Sequence, residues 1–220
     1  MATREHAPNP TSKRTRPYRS ELRAQAASQT RTTILDAAMR LFLERGYGKV
    51  TINDIAQQAG LATPTVYAST GGKAAILSTL IGERQYGDPV VESTLEVIRK
   101  SHTSEEVVAA IASGTRVNNQ RFHDISQVMV TAAAVDDAAA EILQRSDEWY
   151  RGVLSQGARR MKSLRGLHKG IGEKRATDIL WYFFGRQSWH LLVYDLRWSW
   201  DATESFLNAQ AATALILDRC

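Results

Sequence analysis

An all-α fold is predicted by three features of this 220-residue sequence. Apolar residues recur three and four apart through most of the chain, and sustained alternation with period two is absent. The hydrophobic fraction, 43%, is enough to bury a sizeable core. With only 5 Pro and 14 Gly, the composition suits a mostly helical protein.

Residues 1–28 read as a basic, flexible arm. Pro8, Pro10 and Pro17 alternate with Arg4, Lys13, Arg14, Arg16, Arg19 and Arg23, and the apolar content is too low for a separate fold. Arg14, Arg16 and Arg19 lie nearest the folded part and are the candidates to follow a phosphate backbone or enter a minor groove. The stretch has no apolar core of a secretory signal.

Residues 29–86 are expected to form the next unit. A first helix runs from near Gln29 to Arg45, carrying Ile34, Leu35, Ala38, Leu41 and Phe42 and stopping at Gly46. Tyr47, between Gly46 and Gly48, is expected to pack, to donate to a phosphate, or both. Thr51 and Asp54 have capping-box spacing and open a second helix with Ile52, Ile55, Ala56 and Ala59 on its apolar face. Gly60 ends it, and Thr63 offers a hydroxyl cap for a third helix with Pro64 at its first position. Two short helices joined by a tight glycine turn are a helix-turn-helix, so the expected partner is double-stranded DNA. Gly71-Gly72-Lys73 then opens a fourth helix with Ile76, Leu77, Leu80 and Ile81. The spacing and the Ser/Thr of a P-loop are missing, so Lys73 is read as a clamp on one DNA phosphate.

Charge follows the same division. Up to Tyr86 there are 12 Lys/Arg against 6 Asp/Glu; from Gly87 onward the numbers are 16 and 17. The basic excess therefore sits with the helix-turn-helix, as phosphate contacts require. A helix in the major groove presents its N-terminal side chains to base edges, which makes Thr63, Pro64 and Thr65 the base-reading candidates. Thr51 and Tyr67 are candidates for phosphate. Their alternatives are a pure helix cap for Thr51 and, for Tyr67, a core aromatic with its hydroxyl at the surface.

The segment Arg31 to Ile81 resembles the N-terminal domain of the tetracycline-repressor (TetR) family of bacterial transcription regulators. The residues carrying this are Ile34-Leu35-x-Ala37-Ala38, Leu41-Phe42, Gly46-Tyr47, Thr51-Ile52-x-Asp54-Ile55-Ala56, Ala59-Gly60-Leu61, Thr65-Val66-Tyr67 and Lys73 with Ile76-Leu77. The resemblance implies that the third helix enters the major groove and the fourth carries a signal to a C-terminal ligand domain. Two departures from the family pattern matter. Ser69 and Thr70 stand where an aromatic pair is usual and are expected to donate to phosphate, and Ala62 replaces the usual Ser cap, with Thr63 expected to cover the loss.

Residues 87–220 are expected to be a helical ligand-binding and dimerisation domain. Ser104-Glu105-Glu106 opens one helix, Phe122 to Met129 forms another apolar set, and Asp136 begins a long helix through Ile142 and Trp149 to Met161. After the glycine-rich break 166–172, the stretch from Ile179 to Tyr194 is apolar on all sides and must be buried on several. A last helix holds Phe206, Leu207, Ala211 and Leu215. Its neighbourhood, Trp198-Ser199-Trp200-x-Ala202-x-x-Ser205-Phe206-Leu207, resembles one branch of TetR regulators, which implies a four-helix dimer interface. A homodimer on a palindromic operator also suits a reading module that buries little surface alone.

Phe122, Met129, Trp149, Tyr150, Trp181, Tyr182, Phe184, Trp189 and His190 are the candidates to line a pocket for a small apolar or aromatic effector. Such a ligand would weaken DNA binding by linkage, making the chain a repressor released by its effector. The alternative is a helical enzyme using the same cavity. Against it, His102, His123, His168 and His190 lack metal-site spacing, and no Ser sits in a G-x-S-x-G turn. No catalytic residue, metal or cofactor is expected. Leu167 to Ala176 resembles a helix-hairpin-helix loop, with a plain interhelical loop as the favoured reading. The lone Cys220 precludes an internal disulfide and no apolar run approaches a membrane span, so a bacterial cytoplasmic protein, on the nucleoid when bound, is expected.

Overall fold

The computed structural model describes residues 15–85 and 88–217, with side chains described from 21 to 82 and from 88 onward. Arg14 and Cys220 lie outside the described residues. The elements are α1 (Thr15–Arg45), a 3-10 turn (Tyr47–Lys49), α2 (Ile52–Ala59), α3 (Thr63–Thr70), α4 (Lys73–Gln85), α5 (Pro89–Lys100), α6 (Ser104–Ala133), α7 (Asp137–Ser163), α8 (Glu173–Phe184), α9 (Arg186–Trp189), a π-helical stretch (His190–Asp195) and α10 (Trp200–Leu215). Among the described residues there is no strand, only one isolated bridge, Leu167 to Ile216.

The first helix starts at Thr15 and not near Gln29, which corrects the reading of 15–28 as an irregular arm. Glu21 to Ala27 are all good helix formers, and Pro17 sits in the first turn, where its missing N–H removes no helical bond. Residues 21–29 are exposed, so this extension is held by propensity and by continuity with the packed part of α1. Arg16 and Arg19 fall within its first two turns.

The capping pattern is largely where the side chains demand it. Thr51 and Asp54 form a reciprocal box at α2, and Asp88, Thr103, Asp136 and Ser199 each accept a backbone N–H at the start of α5, α6, α7 and α10. Asp88 is also held by Arg121, whose Nη1 lies 3.0 Å from both carboxylate oxygens. The two apolar sets expected between Ser104 and Met129 are one 30-residue helix. Conversely, the run Ile179–Tyr194 is broken at Gly185, where the backbone turns extended before α9.

The hydrophobic core has two parts, and the first of them crosses residue 86. One joins α1–α4 to the C-terminal half of α6 (Ile125, Val128, Met129, Ala132) and the start of α7 (Ala139, Ile142). The other joins α5, the first half of α6, the second half of α7, and α8 to α10 around Leu154, Phe184 and Trp189. The helices α6 and α7 therefore belong to both. Gly157 allows their close approach, since a Cβ there would lie 2.6 Å from Ile111 Cδ1.

Against the second part, His123 of α6 stacks on Tyr194, with centroids 3.4 Å apart, and on His190 at 5.4 Å. Burial holds the His123 pKa below the ordinary histidine value, and the neighbouring His190 adds to this. The unfolded chain then binds more protons than the folded one just below the ordinary value, so folding weakens as pH falls through that window. Urea unfolding from about pH 7 down to 5 should show declining stability in the native chain and a flatter profile in His123→Gln. Parallel profiles would contradict this.

Candidate nucleic-acid interface and effector cavity

The reading head is built by the turn between α2 and α3. Gly60 takes the left-handed conformation, φ 68°, which glycine adopts without strain. Gly60 N–H donates to Gln57 O at 3.2 Å and Leu61 N–H to Ala56 O at 2.9 Å, a Schellman closure of α2. α3 buries Val66 and Thr70, one turn apart, and so turns Pro64, Thr65 and Tyr67 outward. Tyr67 is 55% exposed, too open for a core aromatic.

Three expectations at this head need correction or sharpening. Thr63 does not cap α3: the N-cap is Ala62, with no side-chain hydrogen bond, and Pro64 occupies the second helical position. The Thr63 hydroxyl instead donates to Asn53 Oδ1 at 3.1 Å, tying α3 back to α2. Thr70 is buried and its hydroxyl donates to Val66 O at 2.9 Å, so it offers nothing to a phosphate. Burying a small Thr where an aromatic was expected leaves α3 fastened another way. Arg31 of α1 reaches Ser69 O at 3.4 Å and Thr79 Oγ1 at 3.1 Å, linking α1, α3 and α4. Asn53 and Arg31 were missed because each is an unremarkable polar residue whose partner lies ten or more positions away.

Thr51 is an exposed cap, its Oγ1 accepting from Asp54 N–H at 3.1 Å, while its hydroxyl and its N–H both donate to Asp54 Oδ2, the latter at 2.8 Å, so neither donor is left for a phosphate. These bonds hold the Asp54 carboxyl below the usual range, with the Thr51 side chain the largest cause.

Tyr47 is a core residue. It is buried against Phe42 (centroids 5.1 Å), and its hydroxyl donates to Asp136 Oδ2 at 2.8 Å. Burial and the facing carboxylate push the Tyr47 hydroxyl up, so it stays a donor. The same bond, with the N–H groups of Ala139 and Ala138 and the charge of Lys73, holds Asp136 low. Lys73 donates to Tyr47 O at 3.0 Å and lies 4.2 Å over the Tyr47 ring. One of its three donors is thus used internally.

The cavity lies along the seam between the two core parts. Its first lobe is walled by Ile81 of α4, by Phe122, Ile125 and Met129 of α6, by Trp149 and Tyr150 of α7, and by Arg186. The second lobe continues past Trp149 and Tyr150 to Ile98, Ile111 and Leu154. Their volumes are about 50 Å³ and 30 Å³, so a ligand of ordinary size fits only if the surrounding helices move.

Of the expected lining, Phe122, Met129, Trp149 and Tyr150 are in place. Trp181 stands behind Tyr150, edge-on at 5.6 Å. Phe184 and Trp189 are fully buried core residues, and His190 belongs to the stack with His123. Tyr182 is 72% exposed on the outer side of α8. Aromatic composition alone could not separate these roles, since a helical face is fixed only when its neighbours are known. Arg186, paired with Asp147, was not foreseen.

The resemblance to a helix-hairpin-helix loop has a structural alternative in place. His168 N–H donates to Leu215 O at 2.9 Å and Leu217 N–H to Gly166 O at 3.0 Å, docking this loop on the end of α10.

The arrangement defines a helix-turn-helix protein with a helical body sharing its core. Residues 34–80 match the family model of the bacterial regulatory proteins, tetR family. A relative is the fatty acid metabolism regulator protein of Bacillus subtilis (strain 168), 29% identical over 122 residues, covering 56% of this chain and 61% of the relative. The chain spans between 30% and 64% of the length of the curated relatives it matches. Among solved structures, NalD of Pseudomonas aeruginosa, the secondary repressor of the MexAB-OprM multidrug efflux pump, superposes with a TM-score of 0.70 at 18% identity, covering 89% of this chain and all of NalD. SmeT of Stenotrophomonas maltophilia, in complex with triclosan, gives 0.67 at 19% identity, covering 86% and 93%. These relatives are transcriptional regulators, not enzymes. Among the described residues no helix is long and apolar enough to cross a membrane.

Losing the Thr51 hydroxyl removes the cap of α2. Thr51→Ala should lower unfolding stability by about 1 kcal/mol and Thr51→Ser should restore most of it, as measured by denaturant melts. Equal stability of all three would refute the capping role.

Proposed function

We propose that the chain is a DNA-binding transcriptional repressor that acts as a homodimer on a palindromic operator and is released by a small apolar or aromatic effector. The observation that carries this reading is the cavity wall shared with Ile81: a ligand that parts α6 from α7 pushes on α4, and α4 begins at Lys73, beside the reading head. The effector binds the parted form better, so by linkage it weakens the DNA-binding form. SmeT, a neighbour in fold, is known in complex with triclosan, an apolar aromatic molecule, which suits the same kind of cavity.

In this reading Thr63, Pro64 and Thr65 meet base edges, with Thr65 and Pro64 the most exposed of the three. The Thr65 methyl suits a thymine methyl and its hydroxyl a base acceptor. Tyr67, Ser69 and the remaining donors of Lys73 meet phosphate, and the first turns of α1 carry the basic residues Arg16 and Arg19. Support for the homodimer comes from apolar side chains left exposed on and around α8 and α10. Tyr182, Leu191, Leu196, Trp198 and Phe206 all lie open, with Trp198 and Phe206 edge to face at 5.2 Å. A second copy would cover such a surface.

Selection of bound DNA from a random pool tests the proposal. The expected result is a palindrome with half-sites one helical turn, ~34–36 Å, or a multiple apart. An asymmetric site bound by one copy, or no enriched sequence, would refute it. On the selected site, Tyr67→Phe should weaken binding evenly across operator variants, whereas Thr65→Ala should flatten the preference at one position.

A further inference from the structure

Arg186 is an unexpected residue to find in the wall of a mostly apolar cavity. Its side chain is 12% exposed, and one edge of the guanidinium, through Nη2, is held by Asp147 of α7. The other nitrogen, Nη1, is buried and has no hydrogen-bond partner. A buried guanidinium N–H without an acceptor is costly, and the structure keeps one beside the lobe walled by Trp149 and Tyr150. Asn118 sits where the two lobes meet, and beyond it the lining is almost wholly apolar, with Ile98, Ile111 and Leu154.

From this geometry we propose that the effector is an arylalkyl carboxylate, its head received by Arg186 Nη1 and its apolar body lying between Trp149 and Tyr150 toward Ile111 and Leu154. The inference rests on the cavity being the effector site. Guanidinium carries five N–H donors in a planar fork, so Asp147 on one edge leaves the other free for a second carboxylate. Burial pushes the Asp147 carboxyl up while Arg186, and Arg151 beside its partner Asp178, oppose this, so the cations offset part of the repulsion between the two carboxylates. An amide head of the same size keeps the carbonyl acceptor but loses the charge-assisted bond. The charged head thus selects among ligands whose apolar parts are alike.

Calorimetry on the full chain without DNA tests this, using benzoate, 3-phenylpropanoate and 4-phenylbutanoate beside their primary amides. At least one acid should bind about tenfold or more tighter than its amide. Arg186→Gln should bring the acid within about twofold of the amide and leave the amide unchanged, and Arg186→Lys should keep a preference for the acid. If Arg186→Gln fails to fold by circular dichroism, the Asp147→Asn, Arg186→Gln double variant replaces it, with no buried charge left unpaired. Equal binding of acid and amide, an acid preference that survives the loss of charge, or no binding by any acid would each overturn the assignment. Failure to select an operator would instead sink the repressor reading and leave the acid preference standing. Release of operator equally by acids and amides would sink the headgroup assignment alone.

Discussion

The hydroxyl of Tyr47 on the carboxylate of Asp136 joins the reading head to the body of the molecule. Tyr47 closes the corner after α1, deep in the core, and Asp136 caps α7 through Ala138 and Ala139. A buried phenol needs an acceptor, and a capping carboxylate has spare lone pairs, so each group satisfies the other. Lys73 adds a third member, bonded to the Tyr47 carbonyl and lying over its ring. Displacement of the start of α7 is therefore felt at the start of α4 without passing through a loop. The head cannot move independently of this node unless the bond breaks, and breaking it leaves a buried polar group unpaired.

In the proposed reading, a ligand loads this node through the body. Two core parts share α6 and α7, and the cavity lies along the seam where they meet, with Ile81 and Met129 on one side and Ile111 and Leu154 on the other. Packed interiors respond to an inserted group by shifting whole elements, not by local compression. The small volume of the seam makes insertion inseparable from helix movement. The same contacts that make the fold continuous across residue 86 supply the coupling that the proposed function requires.

Much of the head was legible in the sequence because its determinants are local. The box Thr51–Asp54, the turn at Gly60 and the buried Val66 of α3 each depend on residues within four positions. Reading failed where a partner is distant or a preference is nearly balanced. Tyr47 left packing and phosphate contact open until Asp136, 89 residues on, decided for packing. Thr63 was expected to cap and Thr70 to donate outward, yet Asn53 and the Val66 carbonyl take those hydroxyls. The basic segment from Thr15 looked irregular because arginine and proline dominated its composition, although its alanines favour helix. In the body, aromatic residues marked a cavity only as a group; Phe184 and Trp189 turned out to fill the core beside it. Arg186 was invisible because its meaning lies in the salt bridge to Asp147, 39 positions away in the chain.

The most direct test of this account is a double-mutant cycle on operator affinity with Tyr47→Phe and Asp136→Asn. Asparagine still caps α7, so the second change removes charge without removing the cap. The account predicts that each single variant alters operator affinity while remaining folded, and that the double variant is no worse than the more affected single. The coupling between the two sites should fall in the range of about 0.5–3 kcal/mol found for residues in contact. Strictly additive effects, or folded single variants that bind the operator as the native chain does, would contradict it.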